Sequence, residues 1–188
     1  MSYSEIGRAV QDAIRKNGRS TYYMSHTKQA GIEAMEQVVR WSDFYDRFFR
    51  RTKGCSIYRN GNRKTAISAT SIHYASGRKF QIFASSPKLV RGPADAPHYL
   101  FDEFEFHRDA AAVLQAATPV LMMGTAAVTI ISTVLHEGGA FWNFCEKIKS
   151  GTQPGSLHEI SFDQALADGY YERIVRSRMR SPFVQEVW

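Results

Sequence analysis

Three times along this chain a short apolar run stops at polar residues and gives way to a helical pattern, and this recurring unit does most to limit the available folds. The run from Thr21 to Ser25 leads to Thr27, a residue suited to cap a helix, and then to Ile32, Met35, Val38, Val39 and Trp41 at helical spacing. The run from His98 to Phe101 ends in Asp102-Glu103 and precedes an alanine-rich helix from about Arg108 to Ala117. The run from Ala127 to Ser132 precedes His136-Glu137-Gly138-Gly139 and a helix from about Ala140 to Lys149. Alternation of buried strand and helix predicts an α/β fold built on a mostly parallel sheet flanked by helices. In such sheets ligands collect beyond the carboxyl ends of the strands, so the polar residues there are where chemistry is expected.

The remaining segments fit around this frame. Ile6, Ala9, Val10, Ala13 and Ile14 predict an opening helix from Ser4 to Asn17, stopped by Asn17-Gly18. Segments from Thr65 to Tyr74 and from Lys79 to Ala84 flank Ala75-Ser76-Gly77-Arg78 and predict a hairpin. A further strand is expected from Ser156 to Phe162, and a basic final helix from Tyr171 to Met179. The 188 residues suit one domain, and an apolar share of 44% with 22% charged residues is that of an ordinary globular chain. The longest apolar stretch, from Ala126 to Leu135, is broken by Thr129, Ser132 and Thr133 and is far shorter than the roughly 20 residues of a membrane span. With no signal-peptide pattern at the N-terminus, the expected setting is cytoplasmic. Cys55 and Cys145 lack metal-ligand spacing and read as buried thiols. Charge is uneven: residues 1–91 hold 17 Lys plus Arg against 6 Asp plus Glu, residues 92–188 hold 7 against 12. The basic half can neutralise phosphates and the acidic half can hold a divalent cation.

An apolar strand ending in Asp-Glu has the form of a Walker B motif, in which the first carboxylate holds Mg²⁺ and the second polarises an attacking water. Alone the pattern is weakly specific, since many strands end this way in a solvent-facing turn. Two further segments lie in order around it: Ala84-Ser85-Ser86-Pro87-Lys88-Leu89-Val90-Arg91-Gly92 before, and Thr129-Ile130-Ile131-Ser132-Thr133 followed by Glu137-Gly138-Gly139-Ala140-Phe141-Trp142 after. With these three motifs at these intervals the sequence resembles the phage large terminase family. Phe104-Glu105-Phe106-His107 after the Asp-Glu is most similar to the Mu-type members. The resemblance extends from Tyr22-Tyr23-Met24-Ser25-His26-Thr27-Lys28-Gln29-Ala30 to the closing Phe183-Val184-Gln185-Glu186-Val187-Trp188.

The resemblance implies a three-layer P-loop-NTPase-like domain of the additional-strand class, from a motor that couples Mg-ATP hydrolysis to movement of double-stranded DNA into a capsid. It implies Asp102 as the Mg²⁺ ligand, Glu103 as the catalytic carboxylate, and Ser132 and Thr133 as the coupling residues that sense nucleotide state. Arg91 either stabilises phosphate charge, in cis or toward a neighbouring subunit, or organises the backbone. Implied partners are a capsid portal, a small terminase subunit and further copies in a homo-oligomeric ring, with no membrane; the implied location is the host cytoplasm.

One expected element is missing. No GxxxxGK[ST] loop occurs; Gly61-Asn62-Arg63-Lys64-Thr65 has the Lys-Thr but not the first glycine. Residues 1–188 therefore read as a partial terminase ATPase domain, incomplete at the N-terminus, beginning after the Walker A loop and ending before a nuclease domain. Without that loop the isolated chain is expected to be inactive, and an alternative reading is a catalytically inactive DNA- or protein-binding remnant of a prophage terminase. A helicase-like ATPase with a similar Walker B is a third. His136-Glu137 does not extend to HExxH, since position 140 is Ala, and Ser85 and Ser86 lack a GxSxG setting. Arg47, Arg50, Arg51 and Lys53 among Phe44, Tyr45, Phe48 and Phe49, and the series Arg173, Arg176, Arg178 and Arg180, either contact DNA or solvate ordinary surfaces.

Overall fold

Side chains alternate across a strand, so consecutive residues of a strand that is apolar throughout must be buried on opposite faces. In the computed structural model, which describes residues 2–49, 56–59, 70–84, 90, 97–122 and 126–179, β1 (Thr21–Ser25) and β5 (His98–Asp102) do this. Tyr23 and Leu100 enter one core, while Tyr22, Met24, Tyr99 and Phe101 enter another. The first core is closed by Ile6, Val10 and Ala13 of α1 (Ser2–Ile14) and by Ala34, Met35 and Val38 of α2 (Lys28–Phe49). The second is closed by Ala110, Val113, Ala116 and Ala117 of α3 (Ala110–Met122). Two helical layers thus sandwich one sheet, the expected three-layer α/β arrangement.

Among the described residues the sheet has six strands in the order β2-β3-β4-β1-β5-β6, with β2 (Ser56–Arg59), β3 (Thr70–His73), β4 (Lys79–Ala84) and β6 (Ala127–Ile131). β4, β1, β5 and β6 are mutually parallel, whereas β2 and β3 run antiparallel beside β4. The expected hairpin is β3–β4: Tyr74 N–H donates to Arg78 O at 2.9 Å, and Gly77 takes φ 80°, a left-handed conformation that costs a glycine little. Its first arm begins at Thr70, and residues 65–69 lie outside the described residues. β2 was not legible in the sequence.

Thr27 caps α2 as expected, its Oγ1 accepting from Ala30 N–H at 3.1 Å. Beyond β6 come α4 (Ala140–Lys149), α5 (Phe162–Ala167) and α6 (Tyr170–Met179). The strand expected from Ser156 to Phe162 does not form. Residues 154–161 have no regular structure, and Ser161 caps α5 by accepting from Gln164 N–H at 3.1 Å. Leu157 and Ile160 gave the segment a strand-like pattern, but among the described residues no strand pairs with it and Ile160 stays exposed.

The chain divides into two compact units, Met1–Phe144 and Cys145–Trp188, the division falling within α4. In the second, Lys149 Nζ meets Glu159 Oε1 at 2.8 Å and Glu146 Oε1 at 3.2 Å, and Cys145 is the only buried one of its described residues. Among the described residues no helix is long and apolar enough to cross a membrane.

Candidate functional site at the carboxyl ends of β5 and β6

Asp102 is the last residue of β5, opposite Ile131 of β6, so Glu103 and Ser132 leave adjacent parallel strands at the same edge of the sheet. Tyr23, 1% exposed at the centre of β1, reaches along the neighbouring strand and donates its phenol proton to Asp102 Oδ2. Burial, and then that hydrogen bond, hold the Tyr23 hydroxyl far above the usual phenol range, so it stays a donor. The bond fixes the carboxylate and occupies one of its oxygens. On the backbone side, His107 Nε2 lies 2.9 Å from Asp102 O. A carbonyl only accepts, so the nitrogen facing it carries the proton. Burial depresses the His107 pKa and favours the neutral ring, so Asp102 is braced through both its side chain and its peptide.

Glu103 turns the chain out of the sheet. Its φ of 51° and ψ of 49° are left-handed, and it is the only non-glycine residue with positive φ among the described residues. A side chain held there costs on the order of 1 kcal/mol and persists only where its surroundings enforce it. Enforcement comes from the next turn: Phe104–Phe106 forms a 3-10 helix closed by Phe106 N–H to Glu103 O at 3.0 Å, with Phe104 fully buried beneath it.

That turn is tied to β6 and α4 by Glu105. Its N–H donates to Ser132 Oγ at 2.9 Å, and its Oε2 accepts from Phe141 N–H, also at 2.9 Å, in the first turn of α4. The first amides of a helix have no partner within it, so the carboxylate satisfies one and lies favourably at the positive end of the dipole. Gly139 permits this approach, because a Cβ there would collide with Glu105 Oε1. Gly138, at φ 84°, provides the bend into the helix.

No family model matches the chain. It is 27% identical over 194 residues to a probable terminase large subunit, gp28, of Escherichia phage Mu, covering all of this chain and 35% of that protein. A Mu-like prophage protein, FluMu gp28 of Haemophilus influenzae, is 28% identical over 178 residues, covering 94% of this chain and 34% of the relative. The chain is thus similar in sequence to Mu-type phage large terminase subunits. It spans about a third of the length of the curated relatives it matches. Its fold is that of the large terminase ATPase domain of Thermus phage P74-26, with a TM-score of 0.50 at 18% identity over 70% of this chain and 54% of that one. For a point variant of the same domain the TM-score is 0.56 at 17% identity, over 98% of this chain and 80% of that one.

Of the residues expected at a terminase-like site, Asp102, Glu103 and Ser132 come together at one sheet edge, and Thr133 follows them, exposed. Arg91 lies outside the described residues, as do Ser85, Ser86, Cys55, residues 61–65, Arg50, Arg51, Lys53 and Arg180. Arg47, Phe48, Phe49 and Arg178 are placed on helices, with their side chains outside the description. His136 is exposed in the β6–α4 connection. Arg173 is engaged with the chain itself, its Nη2 donating to Asp168 O at 2.8 Å. Sequence reasoning gave no role to Tyr23 or Glu105. Nothing local links Tyr23 to a carboxylate 79 residues away, or Glu105 to an amide 36 residues away.

Proposed function

We propose that this chain is the hydrolytic part of a DNA-packaging motor, in which Asp102 binds Mg²⁺, Glu103 activates water, and Ser132 and Thr133 couple phosphate state to movement of double-stranded DNA. The observation that carries the reading is the joint placement of Asp102, Glu103 and Ser132 at the carboxyl edge of a parallel sheet, with the Asp102 carboxylate braced and the Glu103 backbone left-handed. Phosphoryl transfer asks for positioning and charge stabilisation more than for covalent chemistry, and a braced carboxylate beside an enforced turn supplies positioning.

The residues fit a magnesium ion. Tyr23 occupies one Asp102 oxygen, and among the described residues no three His, Cys, Asp or Glu side chains converge into a cage. Magnesium is commonly held by one or two carboxylates, with water and substrate phosphates completing the octahedron. The ion would supply charge neutralisation on the transferred phosphate; Asp102 would hold it, and Glu103 would accept a proton from, or orient, the attacking water. The partners expected are DNA, a portal, a small subunit and further copies of the chain. The phosphate-gripping loop absent from this sequence has to come from another segment or chain.

The test is ATP hydrolysis with and without such a loop. The chain alone should turn over negligibly. In a form that includes a phosphate loop, Glu103→Gln should lower kcat by roughly a thousandfold, with ATP binding retained. Undiminished hydrolysis in that variant would remove Glu103 from the chemistry. Robust turnover by the unaccompanied chain would show that no separate loop is needed.

A further inference from the structure

A sensing Ser132 needs something for its hydroxyl to act upon. The structure places one residue between Ser132 and the next helix. Glu105 follows the left-handed Glu103 by two positions, its N–H bonds to Ser132 Oγ, and its carboxylate holds Phe141 N–H at the start of α4. Residues 133–139 between these contacts are exposed except for Gly139, so little packing of their own would carry motion along the loop. The path through Glu105 is short and half-buried. We propose that Glu105 is a positioning residue that clasps the β6 tip to both the Glu103 turn and the N-terminus of α4, so that displacing the Ser132 hydroxyl shifts Glu103 and loosens α4 together. The catalytic meaning rests on the function proposed above; the clasp itself does not.

Peptide-resolved hydrogen–deuterium exchange on the whole chain, without nucleotide, tests the clasp directly. Glu105→Ala should speed exchange of the Phe141 amide by about tenfold, the usual scale for loss of a helix cap. Glu105→Gln keeps an acceptor and should restore most of the protection. Ser132→Ala should also speed exchange at Phe141, which Ser132 does not bond, by roughly threefold. β1 exchange should stay unchanged in each. If Glu105→Ala folds poorly, Gly139→Ala keeps the carboxylate but places a methyl where it lies, and should expose the same amide. Phe141 exchange unaltered in both Glu105→Ala and Gly139→Ala would overturn the clasp, and exchange altered by these but not by Ser132→Ala would overturn the transmission. In a hydrolysing form, Glu105→Ala should lower kcat while leaving KM for ATP within about twofold. An unchanged kcat there, with Glu103→Gln still inactivating, would overturn the positioning role alone; activity unaffected by Glu103→Gln would instead remove the proposed function.

Discussion

β5 and β6 are adjacent parallel strands of five residues each, both leading into polar residues, yet they are built differently. β5 lies between β1 and β6, and four of its five residues are buried. β6 is paired on one side only among the described residues, and all five of its residues are half-buried. The difference extends to their tips. Asp102 is braced by Tyr23 and His107, whereas Ser132 is joined to the neighbouring turn through its bond to the Glu105 amide. The carboxylate proposed to hold an ion sits on the enclosed strand. A hydroxyl expected to respond to nucleotide state sits on the open one.

Matched truncations measure how far this difference holds in solution. Leu100 on β5 and Ile131 on β6 have the same number of side-chain carbons and contribute to the same core, but Leu100 is 0% exposed and Ile131 only partly covered. Leu100→Ala should cost about 3–4 kcal/mol in denaturant unfolding, and Ile131→Ala about half that, since its surroundings are open and can relax. Equal losses would show that β6 is as enclosed as β5, and hence that something further covers it.

A pH test probes the seam between the strands. His98, at the start of β5, places Nε2 2.9 Å from Thr129 Oγ1 of β6, and burial lowers its pKa from 6.5 to about 4. Between those values the unfolded chain binds the proton and the folded chain does not. His98 therefore contributes its full stability above about pH 6.5 and loses it as pH falls toward 4, for a total on the order of 3 kcal/mol. His107, also lowered by burial, acts in the same direction. Replacing His98 with Gln should flatten the decline between pH 6.5 and pH 4.5 to the part due to His107. An unaltered slope would mean that the β5–β6 seam admits water at His98.

These contrasts also explain what the sequence could and could not reveal. β1, β5, β6, α2 and α4 were legible because burial on two faces and helical periodicity are written in consecutive residues. The placement of Asp102, Glu103 and Ser132 at one sheet edge was legible because polar residues follow each apolar strand run. β2 escaped because four residues, Ser56–Arg59, carry too little pattern to separate a strand from a loop. Residues 156–162 misled for the opposite reason, spacing Leu157, Ile160 and Phe162 through a short polar run with no strand beside it among the described residues. Tyr23 looked like core, and by burial it is; what sets it apart is the one polar atom at its tip, which only the register of β1 against β5 brings to Asp102. Glu105 looked like part of an aromatic run, and only the fold brings α4 above it.

The smallest effect discriminates most finely. Tyr23 and Tyr99 are both 1% exposed, on neighbouring strands, and each donates its phenol proton, Tyr23 to the Asp102 carboxylate and Tyr99 to Val90 O at 2.7 Å. Replacing either with Phe removes one hydroxyl and little else. A hydrogen bond to a charged group contributes about 1.5–3 kcal/mol and one to a neutral carbonyl about 1 kcal/mol, so Tyr23→Phe should lower stability at pH 7 more than Tyr99→Phe does. Magnesium offers a second axis: if Asp102 holds the ion as proposed, a carboxylate freed from its brace must be ordered by that ion, so in a form that includes a phosphate loop the Mg²⁺ concentration for half-maximal hydrolysis should rise in Tyr23→Phe and stay put in Tyr99→Phe. Equal stability losses at pH 7 would mean that the Asp102 carboxylate is not held as a charged acceptor, and the contrast between a braced strand end and a responsive one would fail at β5.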